Sequence, residues 1–176
     1  MRKMSSLALA LLASATVLTG EATPVEAAAK PAPFNGRVVE VVNKLPADWR
    51  SAVVSGTNWL DQYTGTDLRI VKKCSGKAFR CITIKQGRLR MSGNPVGRSE
   101  GTTITVDTWK AKHGKGHRGK WNFATKKFLI AHELGHQRWQ PHNASCSNFM
   151  YPYVRCNGKM PKLRTTASQR ASLAKY

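Results

Sequence analysis

Two histidines four residues apart, with a glutamate directly after the first, constrain the fold of this chain more than any other feature. The segment reads His132-Glu-Leu-Gly-His136. Residues four apart share one face of an α-helix, so both imidazoles can bind a single metal ion if the segment is helical. Glu133 would then lie beside the ion, where it can take a proton from a water molecule without being a ligand. The sequence therefore predicts a metal-binding helix here.

The third metal ligand must come from outside this helix, because a catalytic zinc ion generally has three protein ligands and one open position. No Asp or Glu follows Glu133, which excludes a later carboxylate. His142 lies six residues after the motif, and Pro141 would keep that segment extended so that it can return to the metal. His113 and His117 are poorer candidates because they lie in a segment expected to be an exposed loop. The predicted ligands of one Zn²⁺ are therefore His132, His136 and His142.

The segment from the first of these histidines to the third resembles the long zinc signature of the metzincin proteases, His-Glu-x-x-His-x-x-Gly-x-x-His. This chain has His132-Glu-Leu-Gly-His136-Gln-Arg-Trp-Gln-Pro-His142. The following Asn148-Phe-Met150-Tyr-Pro152 is similar to the Met-turn of that clan, and the residues of both motifs are most similar to those of its matrixin branch. In the family, the methionine forms an apolar floor beneath the three histidines. The resemblance assigns that role to Met150.

The resemblance implies an α+β fold, with a mixed twisted sheet, an active-site zinc helix, a Met-turn and a C-terminal helix. It implies a zinc-dependent endopeptidase that uses one catalytic Zn²⁺, with Glu133 as the general base. In metzincins the substrate pairs with an edge strand above the zinc, and we expect residues 102–106 to be that strand. The expected partners are protein or peptide substrates, acidic ones in particular, and the expected oligomeric state is a monomer.

Several departures from the family pattern bear on the structure. Trp139 occupies the position of the glycine in the signature, where a positive φ is common but costly for a tryptophan. We therefore expect the helix to end differently here. Residues 28–36 are too few for the latency propeptide of many matrixins, and the scarcity of acidic residues predicts no structural calcium sites. Pro152 stands where some metzincins have a zinc-binding tyrosine, so no tyrosine ligand is predicted.

The first 27 residues have the features of an export signal. Arg2 and Lys3 precede an apolar stretch at 7–18, and residues 25–27 form a small-residue cleavage site. The apolar stretch is short for a membrane span, so we predict a secreted, extracellular protein over one with an uncleaved anchor. Residues 28–36 would be a flexible lead-in, and residues 37–176 one zinc metalloprotease domain.

Four cysteines agree with export, because an even number in an exported chain predicts two disulfides. Four cysteines allow three pairings, of which Cys74–Cys81 and Cys146–Cys156 are the simplest. A zinc site made of thiolates is the alternative, but the spacings lack the Cys-x-x-Cys signature of such sites.

The charge is strongly positive, with 29 Lys and Arg against 9 Asp and Glu and a net charge of +20. Such a surface is expected to bind polyanions, whether anionic cell-wall polymers, nucleic acid or acidic peptides. A soluble protein whose surface is simply basic fits equally well. Two alternatives to the peptidase follow: a cationic secreted module that binds anionic polymers and uses zinc only for its structure, and a zinc amidase that acts on cell-wall peptides.

Periodicity and capping residues predict the order of the elements. A strand at 37–42, a helix from Pro46 to Gly65 and a strand at 68–71 would form a right-handed parallel crossover. The remaining predicted elements are strands at 80–85 and 102–107, an exposed loop at 110–120, the zinc helix with Asn122 as N-cap, an irregular segment at 137–163, and a final helix at 165–176 capped by Thr165 or Thr166.

Overall fold

A five-stranded mixed sheet lies at the centre of the structure, a computed structural model that describes residues 38–93, 95–113, 121–157 and 159–175. Within these ranges four α-helices accompany the sheet, so the predicted α+β class is confirmed. The predicted export signal at 1–27 and the lead-in at 28–36 lie outside the described residues. Within the described ranges, no helix combines the length and the apolar character needed to cross a membrane.

The strand order in the sheet is β2-β1-β3-β5-β4. β1 lies parallel to β2 and β3, β3 lies parallel to β5, and β4 pairs antiparallel with β5. The predicted parallel crossover between the first two strands is therefore confirmed. The strand bounds are Val38–Lys44 for β1, Asp67–Val71 for β2, Arg80–Gln86 for β3, Gly97–Glu100 for β4 and Thr103–Val106 for β5.

The prediction that residues 102–106 form an edge strand is wrong. β5 lies between β3 and β4, and the edge on this side of the sheet is β4. β4 was not predicted, because Gly-Arg-Ser-Glu contains no residue with a strong preference for strands. Its position comes from its hydrogen bonds with β5, in which Gly97 pairs with Val106 and Glu100 with Thr103.

One face of the sheet packs against helices α1 (Arg50–Asp61) and α3 (Phe123–His136). Alternate residues of the strands point to this inner face and are fully buried, namely Val39, Val41, Ile82, Ile84, Ile104 and Val106. The two helices approach closely at Gly56, where an added Cβ would lie 3.0 Å from the Ile130 side chain. This close approach fixes α3, and with it the His-Glu-x-x-His motif, against the sheet.

Two predicted boundaries are wrong for reasons of tertiary structure. α1 ends at Asp61 rather than near Gly65, because the Asp61 carboxylate accepts a hydrogen bond from the Leu68 N–H at 2.8 Å and so ties the helix end to β2. The segment predicted as a loop from residue 110 begins inside helix α2 (Thr108–His113). Asp107 caps this helix by accepting from the Lys110 N–H at 3.0 Å. Residues 114–120 lie outside the described residues.

Disulfides and a capped helix fix segments outside the sheet and the two packed helices. Both predicted disulfides, Cys74–Cys81 and Cys146–Cys156, are present. Helix α4 (Ala167–Leu173) begins with a capping box formed by Thr166 and Gln169, which confirms one of the two predicted caps. The Asn148 amide donates to Gln169 Oε1 at 2.6 Å, so the helix start is fixed to the segment just before Met150.

Candidate metal centre

Helix α3 places the first two histidines on one face, as predicted from their spacing. Asn122 caps the helix, and its Oδ1 accepts from the Thr125 N–H at 2.9 Å. The imidazole rings of His132 and His136 meet edge to face, with centroids 4.7 Å apart. Their Nε2 atoms are 3.1 Å apart. The two rings therefore present their Nε2 atoms to a common point.

His142 completes the group from the segment that follows the helix. Its Nε2 lies 3.1 Å from that of His136, and the ligand atoms of the three histidines all lie within 4.8 Å of one another. A tetrahedral ion with metal–nitrogen bonds of about 2.0–2.1 Å would separate its ligand nitrogens by about 3.3 Å. The spacing thus suits a first-row transition metal ion, and within the described residues no fourth His, Cys, Asp or Glu joins the group.

Backbone carbonyls fix which nitrogen of the first two histidines faces the centre. The Nδ1 of His132 lies 3.0 Å from the Phe149 carbonyl, and that of His136 lies 3.0 Å from the Gln140 carbonyl. A carbonyl oxygen only accepts, so each Nδ1 carries the hydrogen and each Nε2 keeps its lone pair. Two lone pairs facing each other at 3.1 Å repel unless a cation lies between them. The arrangement is therefore that of a metal-binding site.

Burial keeps these imidazoles neutral. It lowers the pKa of His132 to about 3 and that of His136 to about 4, and neighbouring imidazoles add to both effects. It also lowers the pKa of His142, which is the most exposed of the three. Neutral imidazole is the form that binds a metal ion, so the site is ready for a cation at neutral pH.

Glu133 lies beside the histidines but does not belong to their group. Its side chain is buried, and burial raises its pKa to about 8. Its Oε2 has no hydrogen-bond partner among the described residues. Its carboxyl group lies against Gly97 of β4, where an added Cβ would be 2.7 Å from Glu133 Cδ. A buried carboxylate without a partner is costly in a purely structural role, so its position indicates a chemical one.

Met150 lies fully buried against the same helix. A Cβ on Gly135 would be 2.6 Å from Met150 Sδ and 2.6 Å from the Phe149 ring, so only glycine allows this approach. The neighbouring Phe149 carbonyl is the acceptor for His132. The turn around Met150 therefore supports the helix and the first histidine together.

The chain leaves α3 at a residue with left-handed backbone conformation. The expectation that the helix ends differently from the family pattern is therefore wrong. Trp139 has φ +52°, the conformation that glycine would adopt with little cost. The surrounding contacts hold it there: the Gln140 carbonyl binds His136, and the Asn143 N–H donates to the Met150 carbonyl at 2.9 Å. This exit brings His142 back over the helix.

Two other features lie away from the centre. His113, the upstream alternative for the third ligand, is exposed on α2, with its Nδ1 3.2 Å from the Trp109 carbonyl. His117, the other alternative, lies outside the described residues. An open depression of about 540 Å³ lies along α1 near Arg50 and Lys127, and none of the histidines lines it.

Sequence reasoning missed β4, the strand that contacts the histidine helix and its end from the sheet side. Ser99 of β4 accepts a hydrogen bond from the Gln137 side chain just after α3, and Gly97 lies against Glu133. A signal for β4 was present in Gly101, which has φ +54° in the turn to β5. A glycine in the first position of a two-residue loop is typical of a β-hairpin.

Substitutions of Trp139 should distinguish the free energy that its backbone conformation costs from the stabilisation that its side chain provides. Trp139→Ala and Trp139→Gly both remove the indole, but only glycine adopts φ +52° with little strain. We expect the glycine variant to be more stable than the alanine variant by about 1 kcal/mol. Urea denaturation of the metal-free proteins measures the difference, and an alanine variant of equal or greater stability would contradict the strain.

Acid should release the metal only well below the ordinary histidine pKa of 6.5, because protons compete for the same Nε2 lone pairs. His132 and His136, with pKa values of about 3 and about 4, remain unprotonated from pH 6.5 down towards about 4. Their contribution to the free energy of unfolding is likewise present above pH 6.5 and lost as the pH falls through that range. Metal content after dialysis at a series of pH values tests this, and complete loss by pH 6.5 would refute it.

Comparison with known proteins adds no family to this geometry. No protein-family model matches the chain, and no curated protein sequence matches it either. What this chain does must therefore be argued from its own side chains.

Proposed function

We propose that this protein is a zinc-dependent endopeptidase of the metzincin type, closest to the matrixin branch. The observation that carries the proposal is the convergence of three imidazole Nε2 atoms next to a buried carboxylate that is not in the ligand group. This is the donor set of a catalytic zinc ion with an adjacent general base. The donor atoms alone leave the metal open, since imidazole suits zinc, copper, iron and nickel ions. Three histidines with one open position are a donor set of catalytic zinc sites, and this favours Zn²⁺.

The open side of the group favours a catalytic ion over a structural one. Structural zinc sites are closed by four protein ligands, whereas catalytic sites keep one position free. Three histidines form the group within the described residues, and His142 is exposed to solvent. A water molecule or a substrate can therefore reach the centre from the His142 side.

The chemistry divides between the ion and Glu133. When bound, Zn²⁺ would acidify a water molecule and polarise the carbonyl group of the substrate. Glu133 accepts the proton of the attacking water and then delivers it to the amine that leaves. Burial raises its pKa to about 8, and a nearby cation would lower the pKa again and favour the carboxylate form that takes the proton.

The free edge of β4 provides a place for a peptide. Among the described residues, β4 pairs only with β5 in the sheet, so its other side can form main-chain hydrogen bonds with an extended substrate. Gly97 brings that edge close to Glu133, and Ser99 fixes it to Gln137 at the end of α3. A peptide added to β4 would thus pass next to the histidines. Because Gly97 has no side chain, the Glu133 carboxyl group can occupy the space beside it.

The order of elements also supports the metzincin assignment. A strand, a helix, further strands, the histidine helix, the turn around Met150 and a final helix follow one another as in that clan. Met150 contacts Gly135 of the histidine helix, which supports the role of an apolar floor proposed for it. The two disulfides support an exported protein, since disulfides persist in oxidising compartments.

A zinc amidase that acts on cell-wall peptides would use the same ion and base. The free edge of β4 favours the endopeptidase, because it recognises an extended main chain on both sides of the bond that is cleaved. Release of new amino termini from casein-like proteins supports the endopeptidase, whereas cleavage of wall fragments alone supports the amidase.

Glu133→Gln should abolish hydrolysis while leaving the metal bound. Glutamine keeps the size of the side chain but cannot accept the proton, so we expect a loss of about 10²–10⁴-fold in kcat. Peptide cleavage profiles and metal analysis of the wild type and the variant measure the two properties separately. Asp48→Asn is a matched control, since this carboxylate pairs with Lys126 on the surface.

The outcomes distinguish the proposal from a cationic module with a structural zinc ion. Such a module would show no cleavage by the wild type, and Glu133→Gln would change nothing. Hydrolysis that survives in the variant would show that another group acts as the base.

Gly97→Ala should lower kcat and leave zinc content unchanged. The new methyl group would overlap the Glu133 carboxyl, with Cβ 2.7 Å from Glu133 Cδ, and would displace the base from its place beside the histidines. Gly87→Ala is the control, because its Cβ would meet only the Thr105 side chain, at 2.7 Å, on the outer face of the same sheet. Steady-state kinetics compare the two, and equal losses of activity would mean that general damage to the sheet is responsible.

A further inference from the structure

The outer face of the sheet, opposite α1 and α3, carries three cations in one cross-strand row. Lys44 of β1 pairs in register with Lys85 of β3, Lys85 with Thr105 of β5, and Thr105 with Arg98 of β4. Residues paired in register point to the same face of a sheet. Thr105 lies between Ile104 and Val106, which are fully buried on the inner face, so the row faces outward. We call these four residues the cation row.

The cation row is open to solvent. Lys44, Lys85 and Arg98 are all exposed, and Thr105 is half-buried. The other end of the outer face is covered, because the Ser75 N–H donates to Glu40 at 2.7 Å and brings the β2–β3 connection over β1. With neighbouring strands about 4.8 Å apart, the row extends about 14 Å across the sheet.

The row is poorly neutralised by the protein itself. Glu100 pairs with Arg98 at 3.3 Å, and its side chain is 65% exposed. Within the described part of the chain, no carboxylate lies within 4.0 Å of Lys44 or Lys85. Like charges directly opposite each other on a sheet destabilise it. A pair of lysines in this register thus carries a cost that a bound anion would remove.

Next to the cation row, the chain continues past the carboxyl end of β3 to Arg88. Gly87 lies against Thr105, with a Cβ position 2.7 Å from the threonine methyl, and the chain turns there towards Arg88. The Arg88 guanidinium lies 4.3 Å from the centre of the Trp109 ring. The His113 ring lies 5.1 Å from the same indole. The exposed aromatic side chain at this end is therefore already engaged by two neighbours.

We propose that the cation row binds a linear phosphate polymer, with the charges of the polymer following the row across the strands. Lysine and arginine both bind phosphate groups, and cations arranged in one row suit a chain with repeated charges. Nucleic acid is disfavoured because single strands are held by bases stacked on aromatic side chains, and the row itself contains none. The proposal is independent of the metal centre, which lies with α3 on the inner face.

Binding of the full-length mature protein to immobilised long-chain inorganic polyphosphate tests the proposal. The variant Lys44→Gln/Lys85→Gln/Arg98→Gln should bind at least about tenfold more weakly at about 0.15 M NaCl. The slope of log affinity against log salt should fall by about 2 to 3, since three phosphate contacts are lost. The control Lys159→Gln/Lys162→Gln/Lys175→Gln removes the same charge from exposed positions away from the sheet and should bind almost as the wild type does.

Two stability measurements distinguish a loss of the binding site from a loss of folding. Thermal unfolding at low salt should show the row variant to be at least as stable as the wild type, because the repulsion between Lys44 and Lys85 is gone. Polyphosphate should raise the Tm of the wild type but not that of the row variant. If the triple variant fails to fold, the single variant Lys85→Gln should show the same loss of affinity on a smaller scale.

Three results would overturn the proposal. Equal weakening by both triple variants would mean that net charge alone drives binding, and no weakening by the row variant would place the binding elsewhere. A thymidine oligonucleotide of equal charge that binds more tightly than polyphosphate, and loses this advantage in Trp109→Ala, would make the ligand a nucleic acid.

Discussion

Two hydrogen bonds from imidazole N–H groups to backbone carbonyls hold the site together. His132 donates to the Phe149 carbonyl, and His136 donates to the Gln140 carbonyl. The first bond joins α3 to the turn around Met150, and the second joins it to its own exit segment. Because each bond fixes the tautomer, it also turns an Nε2 lone pair towards the centre. The same contacts that shape the backbone therefore prepare the ligands, and loss of either segment would misplace a metal-binding nitrogen.

This arrangement depends on side chains that lie directly against the backbone, and glycine residues occur at these contacts. Gly135 admits Met150 beneath the helix, and Gly97 admits the carboxyl of Glu133 beside the edge strand. In both places an added Cβ would lie less than 3.0 Å from a neighbouring heavy atom. The buried Glu133 shows the energetic consequence. Its carboxyl has little water around it, so its pKa is raised, and a cation at the histidines would favour its ionised form.

Local sequence patterns predicted the features that depend only on residues close together in the chain. The spacing of His132 and His136, the Asn122 cap and the two short cysteine loops each depend on neighbours in sequence, and the structure contains all three. The elements that were missed depend on distant partners. β4 exists because it pairs with β5 and because Ser99 binds Gln137, and α1 stops where Asp61 binds Leu68. Trp139 shows the limit most clearly, since contacts on both sides impose a φ that its own preference opposes.

Side chains alternate along β4, so this short strand contributes residues both to the inner face of the sheet, against α3, and to the outer face. Gly97 and Ser99 face α3 and contact Glu133 and Gln137, whereas Arg98 and Glu100 belong to the outer face. A change of charge on the outer face therefore leaves the contacts of the base intact, because the two sets of side chains are separated by the sheet itself. The main-chain edge between them remains free for a peptide. If the outer face binds a polyanion as proposed, the histidine cluster and the proposed peptide edge on β4 would both remain accessible.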